Sequence, residues 1–195
     1  MKMKNLIAGA ILTGTLAGTF ATTVQAADYT IDTKGAHASI NFRVSHLGYS
    51  WLEGRFNEFG GQFSYDEANP SAANVNVEIN TASVDSNHAE RDKHIRSGDF
   101  LDVSNFPKAT FKSTSFNANA DGTAVMNGDL TLHGVTKAVE LKVSKIGEGQ
   151  DPWGGYRAGF TGTTEFKMKD FGITKNLGPA SETVYMELHV EGIRQ

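Results

Sequence analysis

A period of two in hydrophobicity, returning along most of the chain, restricts its fold more than any other feature. Ala38, Ile40, Phe42 and Val44 alternate with Ser39, Asn41, Arg43 and Ser45, and Val75, Val77 and Ile79 alternate with Asn74, Asn76, Glu78 and Asn80. The same alternation runs through Val139 to Ser144, Phe160 to Met168 and Val184 to Glu191. Successive side chains of a strand point to opposite faces, so each run has one apolar and one polar face. Strands solvated on one side pair antiparallel. Turn residues separate the runs at Gly48, Asn69-Pro70, Asp121-Gly122, Gly134, Gly147 to Gly149 and Gly154-Gly155, which predicts about eight strands at hairpin spacing. Phe56 and Phe59 differ in parity, and this predicts a bulge near Asn57-Glu58.

An all-β chain of this kind packs as a sandwich or closes as an eight-stranded antiparallel barrel. Closure removes the exposed edges that invite aggregation. The interior of an eight-stranded barrel is either filled by side chains or holds one small ligand. Common parity assigns Phe42, Val44, Phe63, Val77, Ile79, Phe111, Leu132, Leu141, Phe160, Phe166, Met186 and Leu188 to a shared interior. The small residues Ala38, Gly61, Ala109 and Gly162 have the same parity. They leave room for a guest, or they merely accommodate the large rings; alternation does not decide between the two.

The first 26 residues stand apart. Lys2 and Lys4 precede an uncharged run of small and apolar residues from Leu6 to Ala21, and Val24-Gln25-Ala26 offers a cleavage site before Ala27. This three-part pattern predicts a secretory signal over residues 1–26, with residues 27–195 as one domain and no membrane span after cleavage. The chain carries a net charge of −4, and loss of Lys2 and Lys4 leaves −6, a balance unsuited to nucleic acid. There is no cysteine, so neither a thiolate metal site nor a disulfide framework is available.

One segment leaves the strand pattern. In NHAERDKHIRS, Asn87 to Ser97, Asn87 and Glu90 resemble a capping box and Gly98 is placed to end a short helix. Ile95, Phe100 and Leu101 are the expected anchors of that helix on the barrel. His88, Glu90, Asp92 and His94 crowd together on it. A zinc-protease helix needs histidines four apart, and these are six apart on different faces, so no metal is expected. The plainest reading is a solvated helix with pairs such as Asp92–Arg96. Another places His88, Arg91, His94 and Arg96 at a barrel mouth, facing a phosphate or similar head group. The aromatic turns around Trp51 and Trp153 are candidate gates of a lipid entrance, or simply loops packed over the barrel ends. His37, His133 and His189 have polar parity and are expected at the surface.

Six blocks carry a resemblance to a known family: SHLGYSWLEGRF (45–56), NHAERDKHIRSGDF (87–100), FPKATF (106–111), GDLTLHGVTKAVEL (128–141), DPWGGYRAGF (151–160) and LGPASETV (177–184). In this order they resemble the YceI family over residues 27–195, with Ala138 as a departure where the family usually has proline. The resemblance implies a lipocalin-like barrel with one helix, a long cavity holding a polyisoprenoid or similar lipid, a periplasmic home in a Gram-negative bacterium, and no catalytic residues or cofactor.

The residues leave three functional classes in play. A carrier of a long apolar molecule is the first. An enzyme built on the His88/Glu90/Asp92/His94 cluster is the second, although no nucleophile elbow such as G-x-S-x-G is present. A stress-linked structural protein with a filled core is the third. For a carrier, each buried CH₂ contributes about 0.8 kcal/mol against an association cost of roughly 4–15 kcal/mol. A chain of about twenty carbons therefore binds well where one of about six does not. That length fits a polyisoprenoid, an isoprenoid quinone or a fatty acyl derivative. Oligomeric state is not legible.

Overall fold

The structure is a computed structural model that describes residues 26–195. The expected signal segment lies outside the described residues, apart from Ala26. Eleven strands and one helix follow one another: β1 (Ala27–Ile31), β2 (Ser39–His46), β3 (Ser50–Phe56), β4 (Phe59–Tyr65), β5 (Asn74–Asn80), β6 (Val84–Asp85), α1 (Ala89–Arg96), β7 (Lys108–Ala118), β8 (Thr123–Leu132), β9 (Val135–Gln150), β10 (Tyr156–Lys167) and β11 (Thr183–Arg194).

The eleven segments make eight rows. β1 and β2 lie end to end, since both pair with β11, while β1 pairs with β4 and β2 with β3. β3 and β4 form the second row, interrupted at the predicted Asn57-Glu58, and β5 and β6 form the third. At the interruption Asn57 N donates to Ser83 O and Asn80 N to Glu58 O, so the neighbouring row closes around the break. β7 to β11 are unbroken rows, each paired antiparallel with the next, and β11 returns to β1 and β2. The result is a closed eight-row antiparallel barrel in up-and-down order. Among the described residues every strand but the two-residue β6 is paired along both edges over at least part of its length.

Two register shifts adjust which side chains face inward. One lies between Ser113 and Ser115 and returns Phe116 to the interior after Phe111. The other, at Gly159/Phe160, has Ile146 as the extra residue opposite it, facing outward and 69% exposed.

The helix is capped differently from the sequence expectation. His88, not Asn87, is the N-cap: its Nδ1 accepts from Arg91 N at 3.2 Å, while Asn87 takes a left-handed φ of +60°. Ser97 rather than Gly98 ends the helix, with its backbone N–H bonded to His94 O. The pair Asp92–Arg96 does not form. Asp92 is buried and accepts from Ser86 N at 2.8 Å and from Ser86 Oγ, whereas Arg96 donates to Val84 O at 3.0 Å. His37 is at the surface as expected, though its polar parity had assumed a strand and it lies in the β1–β2 loop; His133 differs, being half-buried in the β8–β9 turn.

At the end of the barrel away from α1, one cation ties several rows together. Arg157 on β10 donates to Asp32 after β1 at 2.7 Å, to Glu191 on β11 at 2.6 Å and to Asp151 in the β9–β10 loop at 2.9 Å. Asp32, Glu191 and His37 lie close enough together to suggest a cation site, but the guanidinium already occupies the two carboxylates. The bond from Arg157, with further bonds from Gly35 N and His37, holds the Asp32 carboxyl down at about 2 against an ordinary 3.8. A carboxyl depressed in the folded state stabilises the fold above its unfolded value, and that contribution is lost as pH falls through the folded value. Wild-type stability is therefore expected to fall between about pH 4 and pH 2 more steeply than that of Asp32→Asn. Denaturant melts across this window check it; parallel pH profiles would exclude the Asp32 contribution.

Candidate ligand-binding cavity

The barrel is hollow. One continuous cavity of about 430 Å³ runs through it, and all twelve residues assigned to the interior by parity lie on its wall. Five of them, Phe63, Ile79, Phe111, Leu132 and Leu141, are buried. The other seven are only half-buried although they point inward, because their free surface faces the lumen. A filled core would bury all twelve. The buried side chains also fall into three separate clusters arranged around the space, where a filled core forms one contiguous cluster.

The space owes much to glycines beneath aromatic rings. Phe42 lies over Gly54 on β3, Phe111 over Gly128 on β8 and Phe63 over Gly192 on β11; at each glycine a methyl group would overlap the ring. With no side chain beneath, each ring lies against the barrel wall instead of projecting across it. Of the four small residues expected to make room, Ala109 and Gly162 are on the cavity wall. Ala38 and Gly61 are not. Ala38 packs behind the wall with Tyr29 and Ile31, and Gly61 sits where the β5 backbone comes too close for a Cβ.

On β10 the wall extends from Phe160 through Gly162 and Thr164 to Phe166, about 20 Å of strand, and Met168 continues it just past the strand end. Among the buried side-chain polar atoms of the described residues, Thr164 Oγ1 is the one left without a hydrogen-bond partner. At the end near α1 the lining residues His46, His94 and Leu177 reach solvent, and Arg91 joins them. At the other end Ile31, Phe63 and Tyr65 are buried, and Asn74 is the lining residue that reaches the surface. The mouth is therefore at the α1 end.

The six residues assigned to that mouth separate. Arg91 and His94 line the cavity. Arg91 donates through Nε to Ser86 Oγ at 2.7 Å and through Nη2 to Ser86 O, and among the described residues no carboxylate pairs with it. His94 Nε2 lies 2.8 Å from Asp99, which also accepts from Lys175 Nζ at 2.6 Å; these bonds hold the Asp99 carboxyl below its ordinary value. His88 serves the helix cap, and Arg96 clamps the backbone of residues 82 and 84. Trp51 is on the outer face of the barrel, edge-on to Tyr185 at 5.5 Å with the Arg43 guanidinium 4.6 Å from its ring centre. Trp153 is 78% exposed in the β9–β10 loop at the opposite end. The compact His88/Glu90/Asp92/His94 group of the sequence is thus dispersed among a cap, solvent, a buried serine and a hydrogen bond to Asp99.

Parity reasoning left many wall residues unassigned, among them His46, Leu52, Val75, Val143, Val190 and Leu177. His46 and Leu52 share the inward parity of Val44 and were legible in principle. Leu177 sits between strands, where no period exists to place it.

A closed up-and-down barrel around one apolar lumen defines a class of small barrels that enclose a guest. The profile of the YceI-like domain matches residues 29–192, and the chain belongs to that family. A UPF0312 protein of Ectopseudomonas mendocina (strain ymp) is 61% identical over 193 residues, covering 99% of this chain and 100% of that one. A UPF0312 protein of Shewanella sp. (strain ANA-3) is 60% identical with the same coverage. Among solved structures, a YceI protein of Campylobacter jejuni superposes with a TM-score of 0.70 at 26% identity, covering 78% of this chain and 90% of that one. Burkholderia cenocepacia BcnA shares the fold with a TM-score of 0.73 at 20% identity, covering 83% and 98%. So does a polyisoprenoid binding domain from Saccharophagus degradans, with a TM-score of 0.63 at 17% identity, covering 88% and 100%.

Proposed function

We propose that this protein binds one long-chain apolar molecule, a polyisoprenoid, isoprenoid quinone or fatty acyl derivative, and carries it in the periplasm of a Gram-negative bacterium. The observation that carries this reading is the apolar cavity, which follows the barrel from Tyr65 and Phe160 to Leu177. An elongated lumen favours an elongated guest, and the shared fold of the S. degradans polyisoprenoid binding domain supports that guest class. The pattern of residues 1–26 supports secretion. Binding rather than catalysis is favoured because the titratable cluster on α1 is dispersed into structural contacts.

Arg91 is the polar group best placed for a head group, since its charge has no carboxylate partner among the described residues. Mass spectrometry of lipids extracted from the native protein is expected to return a single class of long-chain species. Arg91→Ala is expected to weaken a prenyl phosphate probe about tenfold more than an uncharged prenol of equal length, as befits loss of one charge-assisted contact. Arg96→Ala is expected to lower stability without distinguishing the two probes. Equal effects of Arg91→Ala on both probes would remove the head-group role, and extraction of no lipid from any preparation would count against the carrier.

A further inference from the structure

We propose that the tip of the β2–β3 hairpin, together with Leu177 beside it, is a bilayer-docking surface at which an apolar guest passes between the cavity and a membrane. The proposal rests on the carrier reading above and adds the partner from which the guest comes.

It begins with a residue in a conformation its side chain disfavours. Leu47 and Gly48 are the two central residues of the turn between β2 and β3, with φ of +54° and +83°, closed by Tyr49 N donating to His46 O at 3.0 Å. A turn with both central residues in the left-handed region favours Asn-Gly, and a leucine there is strained. The β8–β9 turn has the same form at His133-Gly134, with φ of +51° and +72°. There the non-glycine residue has a structural use: His133 Nδ1 lies 3.2 Å from Phe171 O and its ring centre 4.5 Å from that of Phe106. Leu47 has no comparable packing and is 54% exposed. Neither turn geometry nor burial accounts for a leucine at this tip.

Its neighbours are of the same character. Tyr49 is 87% exposed, and Leu177 is exposed while also lining the cavity. The tip is tied to the segment that carries Leu177. Leu47 N donates to Ser181 Oγ at 3.3 Å, and the buried Ser181 donates to Ser45 O at 2.6 Å. His46, next to Leu47, lines the cavity as well. The apolar tip is therefore the lip of the lumen, continuous with its wall.

A lipid surface fits this lip better than a protein. A stable protein interface needs about 800 Å² on each partner, more than a hairpin tip and one adjoining side chain present. Below the tip on the outer face, Trp51 and Tyr185 form the kind of aromatic pair that sits at headgroup level. Arg43 stacks on both, exposed and without a carboxylate partner among the described residues, and so is free to meet lipid phosphates. A guest with about twenty carbons has almost no solubility as a free solute, so its exchange requires contact with a lipid phase.

The test is co-sedimentation of the purified native protein with vesicles of equal parts phosphatidylcholine and phosphatidylglycerol. The protein is expected to partition onto them, and Leu47→Asn to weaken partition about tenfold, the loss of one leucine's burial. The same substitution relieves the turn, so its melting temperature is expected to rise, and uptake of an isoprenoid probe from detergent micelles is expected to be unchanged. Tyr49→Ser, which leaves the strained positions alone, is expected to weaken partition likewise. Absence of partition by the wild type, or wild-type partition by both variants, would overturn the proposal. Concentration-dependent dimerisation lost in Leu47→Asn, without vesicle binding, would reassign the tip to a second copy of this chain. Uptake from micelles without vesicle binding removes the docking surface alone. Failure of uptake from micelles removes the carrier reading and this proposal with it.

Discussion

Gly162→Phe is expected to abolish uptake of a long-chain isoprenoid probe while leaving the melting temperature close to that of the wild type. Gly162 is on the cavity wall between Phe160 and Phe166. A Cβ there would meet Leu188 and Lys142 O at 3.7–3.9 Å, ordinary contact distances, so the new side chain has room to start and only the lumen to enter. A phenyl ring takes the space of roughly five methylenes, and at about 0.8 kcal/mol each the lost guest contacts amount to on the order of 4 kcal/mol. That is about three orders of magnitude in affinity. A filled core would respond in the opposite way, losing about 1–3 kcal/mol of stability to overpacking and binding nothing before or after. Thermal melts and probe titrations on the same preparations separate the two. A large fall in melting temperature, with no probe bound even by the unmodified protein, would falsify the cavity as a binding site.

Gly192→Ala is expected to have the largest effect on stability for the smallest change in composition. The added methyl would overlap the Phe63 ring and lie 2.9 Å from Tyr29 Cβ. Phe63 has little freedom to yield, since it stacks on Tyr29 at 4.8 Å and meets the edge of Phe160 at 5.7 Å. Gly192 also pairs with Ile31 where β11 returns to β1, so a displaced ring strains the closure of the barrel. Overpacking of this kind costs about 3 kcal/mol, a fall of roughly 8 °C in melting temperature for a domain of this size. Phe63→Leu in the same chain is expected to recover part of the loss by removing the ring that the methyl strikes. A melting temperature unchanged by Gly192→Ala would show that the ring moves aside freely. The glycine would then have no part in keeping the lumen open.

These two experiments probe different kinds of information. The parity of Phe160, Gly162 and Phe166 is local, a property of neighbouring residues on one strand, and so the twelve lumen positions were legible from alternation alone. The interruption at Asn57-Glu58 was legible for the same reason, because a change of parity inside an apolar run has few other solutions. The helix was legible as an element, but its ends were not. His88 displaced Asn87 as the cap because the chain enters the helix through a left-handed Asn87. Arg96 left Asp92 because each found a backbone or serine partner nearer than the other.

By itself the sequence determined the alternating runs, the face each presents, turns at Gly48 and Gly134, and hence an antiparallel all-β chain with a common apolar interior. Only the tertiary structure decided that the interior is open. Whether Phe42, Phe63 and Phe111 cross the barrel or lie flat depends on what register sets beside them: Gly54 and Gly128 on the adjoining strand, and Gly192 one strand further on, beyond β1. Register decides which glycine meets which ring: Phe42 and Gly54 share one hairpin, Phe111 and Gly128 meet on a diagonal fixed by the β7–β8 pairing, and Phe63 and Gly192 meet across β1 although they lie far apart in sequence. The same reason hid the Arg157 junction with Asp32 and Glu191, and it hid Leu177 at the mouth. Side-chain direction is set by the nearest peptide bonds, while empty space is set by closure of the whole barrel.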